Sequence, residues 1–164
     1  MTTLSVSTRR SFNAESTDDV PIVLVELQTA AGTQYISSDP TERLSIDPLF
    51  YGTVHNGQQY KAIFMAVTWP DDQDNAPPST TLVFENVAED MAAVARAGTD
   101  QFPVVLKLVM SSNPDFVEDQ CTLICTGSSY NAMQVSLTVS REPFESEPWP
   151  AQRMTRERFP GLYR

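Results

Sequence analysis

Apolar and polar residues alternate along much of this chain with a period of two, the repeat of a strand with one buried face. The cleanest stretch is Met133, Val135, Leu137 and Val139, which alternate with Gln134, Ser136 and Thr138 and predict a strand over 131–140. In VVLKLVMSS (104–112) nearly every position is apolar, as in a central strand covered on both faces. VPIVLVELQT (20–29) is β-branched and apolar, and ends at AAGT before QYIS (34–37), which predicts a first hairpin. Asn56-Gly57 suits the positive φ angles of a type I′ turn, with strands over 49–55 and 58–68 on either side. STTLVFENV (79–87) reads as a further strand. After the loop NPDFVEDQ (113–120), QCTLICTGSS (120–129) pairs with 131–140 in a hairpin turning around Gly127 to Asn131.

Helical signals are few. Asn86 with Glu89 three residues later forms a capping-box pattern, and Val87, Met91 and Val94 follow at helical spacing before Gly98, so a short helix is expected near 87–97. Residues 1–19, containing STRRSFNAEST, read as a short helix or a mobile leader. PDDQDNAPP (70–78) is an acidic, proline-broken surface loop. The expected protein is therefore mainly β over 20–140, with one or two short helices and an extended arm over 141–164.

Composition fits this picture. The 164 residues, 41% hydrophobic and 20% charged, match one folded domain with extensions. No apolar run is long enough for a signal peptide or membrane span, so synthesis in a cytoplasm and no membrane partner are expected. Cys121 and Cys125 lie on one face of a strand, about 13 Å apart when extended, too far for a bridge, and are expected as reduced, buried thiols. A net charge of −10 argues against nucleic acid. Arg153, Arg156, Arg158 and Arg164 against Glu157 give residues 151–164 a balance of +3, which leaves −13 on residues 1–150. A basic tail on an acidic body can dock onto another copy.

Catalytic chemistry is not expected. The single histidine, His55, sits beside the predicted turn, where exposure to solvent is the expectation. Asp71, Asp72 and Asp74 lack the glycine and terminal glutamate of a calcium loop. No phosphate-cradling glycine loop, nucleophile elbow or zinc-binding histidine motif occurs. Arg9 and Arg10 suit salt bridges to protein carboxylates. No enzyme activity, cofactor or metal is expected, and Trp69 and Tyr51, taken as exposed near the acidic loop, support only an alternative reading as a receptor- or carbohydrate-binding module.

The arm carries the functional weight. Pro143, Pro148, Pro150 and Pro160 keep it from being helical, and it holds Phe144, Trp149, Phe159, Leu162 and Tyr163 among its arginines. Aromatic residues and arginine are enriched at binding hot spots, whereas disordered tails are depleted in aromatics. Phe144, Trp149, Arg153, Arg156, Arg158, Phe159, Leu162 and Tyr163 are the expected subunit-binding residues.

The tail Trp149, Pro150, Ala151, Arg153, Thr155, Arg158, Phe159, Pro160, Gly161, Leu162 and Tyr163 resembles the C-terminus of a family of small phage tail proteins. That family is catalogued as a domain of unknown function and is encoded just after the tape-measure protein of long non-contractile tails. The Asn-Gly hairpin with Tyr60 and Ala62, the stretch LVFENVAEDMAAV and the segment SSNPDFVEDQ are similar too, so the resemblance spans roughly residues 12–164. It implies a role like that of distal-tail or tail-tip ring proteins, with a β-sandwich or split β-barrel core. It also implies a homo-oligomeric ring, hexameric in expectation with three-fold symmetry the alternative, that joins the tail tube to tape-measure and hub proteins in the virion. The function expected on this basis is that of a structural adaptor subunit of a phage tail tip or baseplate.

Overall fold

The computed structural model describes residues 4–30, 32–70, 78–85, 101–131, 133–141 and 155–162. Among the described residues the chain is mainly β with one short α-helix. Helix α1 spans Val6–Asn13, and ten strands follow: β1 Pro21–Thr29, β2 Gly32–Ser37, β3 Glu42–Ile46, β4 Leu49–His55, β5 Gln58–Ala62, β6 Met65–Val67, β7 Ser79–Glu85, β8 Pro103–Met110, β9 Asn113–Tyr130 and β10 Gln134–Ser140. All ten join one mixed sheet in the order β3-β4-β5-β2-β1-β8-β9-β10-β7-β6.

This sheet closes on itself through its own backbone. β5 pairs in parallel with β2, and β6 pairs antiparallel with β7, yet only Ile63 and Phe64 separate β5 from β6. The amide of Ile63 donates to the Ser37 carbonyl at 3.1 Å, and the Phe64 carbonyl accepts from the amide of Glu85 at 2.9 Å. The span 58–67 thus bonds to both ends of the strand series. The result is a barrel with staves, in order, β2, β1, β8, β9, β10, β7 and the β5–β6 span. Closure matters because an open strand edge would leave backbone donors and acceptors free to pair with another chain.

Strand alternation assigns each side chain to the lumen or the outer wall. The lumen is filled by Val25, Leu27, Ile36, Leu82, Phe84, Val104, Leu106, Leu123, Val135, Leu137 and Val139, all buried. Ile63, Met65, Val67 and Trp69 pack on this cluster from the span and its continuation. Each fully buried Leu or Phe contributes roughly 1.5–3 kcal/mol, so the lumen supplies the bulk of the stabilisation. β8 is buried on both faces, as its continuous apolar sequence predicts: Val104 and Leu106 point into the lumen, while Val109 packs outside with Ile22, Leu24 and Tyr60.

That second cluster lies on the outer wall, and the β3–β4 hairpin, paired to β5, extends the sheet beyond the barrel. At the turn between β4 and β5, Asn56 and Gly57 have φ of 48° and 79°, the left-handed pair that a type I′ turn requires. Helix α1 starts at an N-cap, Ser5, whose hydroxyl accepts from the Thr8 amide.

Four expectations need correction. The segment NPDFVEDQ is not a loop but the first part of β9, which pairs with the end of β8 through register shifts; its polar residues suit a strand whose outer side is exposed. β9 also runs on through Gly127 to Tyr130, so the turn into β10 lies at 131–133. The expected strand 58–68 is interrupted at Ile63 and Phe64, where pairing passes from β2 to β7. β3 was not expected; it pairs with β4 through a register shift between Arg43 and Ser45. The helix expected near 87–97 and the acidic loop lie largely or wholly outside the described residues.

Candidate docking surface

Among the described residues, several buried polar groups are engaged structurally. On the outer wall, Glu26 of β1 accepts from Lys107 Nζ at 2.6 Å and from the Tyr60 hydroxyl at 2.5 Å. Burial pushes the Glu26 carboxyl up, but the hydrogen bonds from Lys107 and Tyr60 outweigh it and hold the group below the usual carboxylate range. Burial and the Glu26 carboxylate raise the Tyr60 hydroxyl well above its ordinary value. A phenol so raised remains protonated and a carboxylate so lowered remains charged, so the trio holds β1, β5 and β8 together and is poorly suited to moving protons.

His55 is not exposed at the hairpin tip; it is 4% accessible. Its Nδ1 donates to the Pro114 carbonyl at 2.7 Å, and the neighbouring Asn56 amide donates to Asp115 Oδ1 at 2.6 Å. The hairpin tip is therefore clamped onto the start of β9. Trp69 is likewise not an open platform: it packs against the lumen cluster, and its indole Nε1 donates to Asp119 Oδ2 at 3.0 Å. Its place in the alternation Ile63, Met65, Val67, Trp69 was the available sequence signal. Cys121 and Cys125 are free thiols on the lumen side, pushed up by burial. Among the described residues no group of three His, Cys, Asp or Glu side chains is placed to hold a metal ion.

Helix α1 is tied down by one carboxylate. Glu118 of β9, buried, accepts from the Ser5 amide at 2.8 Å, the Ser5 hydroxyl at 2.7 Å and the Thr8 hydroxyl at 2.5 Å. Burial raises the Glu118 carboxyl, but these three bonds hold it below its ordinary value. A negative group at a helix start is also favoured by the helix dipole. Val6 and Phe12 of the helix remain exposed. Arg9 Nε donates to the Leu4 carbonyl at 3.0 Å, where a salt bridge to a carboxylate was expected.

The outer wall also carries apolar surface. In the stretch 63–67 the odd positions Ile63, Met65 and Val67 pack on the lumen cluster, so Phe64 projects outward and is 67% exposed. It borders two hollows. One, of about 720 Å³, is lined by Phe64, Ala66, Val83, Glu85 and Met133; the other, of about 280 Å³, by Pro40, Leu49, Tyr51, Lys61, Ala62 and Phe64. Leu49, Tyr51 and Met133 are exposed as well. Sequence reasoning missed this surface, although the parity of 60, 62, 64 and 66 against 63, 65 and 67 carried the signal.

Of the expected subunit-binding residues, Phe144, Trp149, Arg153 and Tyr163 lie outside the described residues. Arg156, Arg158 and Phe159 are exposed. The amides of Arg158 and Phe159 both donate to the Thr155 carbonyl, at 3.1 and 2.9 Å, and Leu162 ends a 3-10 turn, Pro160–Leu162. This compact turn presents both arginines and Phe159 to solvent.

Residues 7–154 match the family model DUF1833, described as a domain of unknown function. No curated protein matches the chain.

Proposed function

We propose, from the premise that the chain belongs to the DUF1833 family, that it is a structural adaptor subunit of a phage tail tip or baseplate. Copies form a ring that joins the tail tube to the central hub, and the C-terminal arm of each copy grips a neighbour. The observation that carries this reading is an aromatic, arginine-bearing arm, exposed where described, on a body of strongly negative charge with two hollows beside the exposed Phe64. The resemblance of the tail sequence to small phage tail proteins supplies the setting. Such an arm gives up conformational entropy on docking and recovers it through aromatic burial and paired charge.

Cryo-microscopy of purified tails tests the role. The chain is expected as a ring between tube and hub, and its absence from mature particles would refute the adaptor reading. The alternative, a receptor- or carbohydrate-binding tip module, has lost the support of an exposed Trp69. Free protein that competed with particles for adsorption to host cells would restore it.

A further inference from the structure

We infer that the arm of one copy seats in the two hollows flanking Phe64 on the outer wall of a neighbouring copy. This rests on the ring reading above and specifies its contact. Phe64 stands outward because Ile63, on its lumen-facing side, completes barrel closure, so the sheet itself fixes its exposure. The hollows on either side share Phe64 as a common wall, which makes them adjacent. An extended segment of the arm, with Phe144 or Trp149 turned towards the wall, fits that form.

Charge places the arginines at the larger hollow: Glu85 lines it, whereas Lys61 lines the smaller one. The basic part of the arm, beyond Trp149, brings Arg153, Arg156, Arg158 and Arg164. Chain direction favours a second copy over the arm's own barrel. The arm leaves β10 after Ser140, which pairs with Ser79, whereas the larger hollow lies at the other end of the same pair, at Gln134 and Glu85. To reach its own hollow the arm must reverse and run back along its own wall, and Pro143, Pro148 and Pro150 favour extended, directed chain. A neighbour can present the hollows without that reversal, and 24 extended residues reach up to about 80 Å.

Phe64 of the full-length chain is replaced by the photo-crosslinker p-benzoylphenylalanine, equal amounts of ¹⁴N and ¹⁵N protein are mixed and re-equilibrated, and irradiated products are read by peptide mass spectrometry. Adducts from position 64 to peptides of residues 141–164, about half joining unlike isotopes, are expected. Adducts confined to one isotope would mean docking within a chain and would overturn the inference. Adducts to other regions in a persisting oligomer would overturn it while leaving the ring reading intact; a monomeric protein would remove both. Full-length Phe64→Ser, which alters an exposed side chain, is expected to raise the dissociation constant of the oligomer at least tenfold with an unchanged circular dichroism spectrum. Unchanged assembly would contradict the proposal.

Discussion

Tyr60 and Glu26, 34 positions apart in sequence, meet on the outer wall of the barrel with the phenolic hydroxyl donating to Oε1 at 2.5 Å. Lys107 donates to the same oxygen at 2.6 Å. Removing the cation leaves a largely buried carboxylate with one neutral donor, whereas removing the hydroxyl leaves the ion pair. Lys107→Met is therefore expected to destabilise by about 2–4 kcal/mol, and Tyr60→Phe by about 1 kcal/mol. Urea unfolding of the two variants checks the order; a greater loss for Tyr60→Phe would contradict it.

Acid should release α1 before it unfolds the barrel. The carboxyls of Glu118 and Asp19 are both held below their ordinary values: burial raises each, and hydrogen bonds outweigh it, from Thr8 and Ser5 at Glu118 and from Ser112, Ser111 and Ser11 at Asp19. A depressed carboxyl contributes stability that is fully present above its unfolded pKa, about 4, and lost as pH falls through the lower folded value. Amide exchange by mass spectrometry below pH 4, corrected for intrinsic rates, is expected to show loss of protection over 5–13 while β8 and β10 remain protected. Thr8→Val should bring this loss to higher pH and weaken attachment by about 1 kcal/mol.

Gly52 marks a close backbone approach. A Cβ there would lie 1.8 Å from the Tyr60 carbonyl oxygen. Gly52→Ala must push β4 from β5 and is expected to cost more than about 2 kcal/mol. A thermal melt of the variant overlying that of the unaltered protein would contradict this packing.

Phe84 tests the lumen. It is fully buried on β7, opposite Met65 and Val135. Phe84→Ala is expected to cost about 3–5 kcal/mol, measured by denaturant titration; a cost below 1 kcal/mol would mean that the lumen is not the main core.

Strands were legible where one face alternates or both are apolar: β1, β8 and β10 lie within two or three residues of their expected positions, and Asn56-Gly57 forms the expected turn. What sequence did not show follows from long-range geometry. β3 and the start of β9 have polar outer residues that mimic loops, and their pairing depends on partners that sequence distance hides. His55 was expected in solvent because Pro114, 59 positions away, supplies its cover. Barrel closure at Ile63 and Phe64 turns on two hydrogen bonds to separate strands. The arm was recognisable by composition alone, whereas the Phe64 surface needed the lumen to be assigned first.

The central claim is that the C-terminal arm joins copies of this protein. Native mass spectrometry of the full-length chain beside a chain lacking residues 142–164 tests it most directly. The account predicts a ring-sized oligomer for the first and a folded monomer, with unchanged strand circular dichroism, for the second. A folded truncated protein that assembles as fully as the complete chain would contradict it.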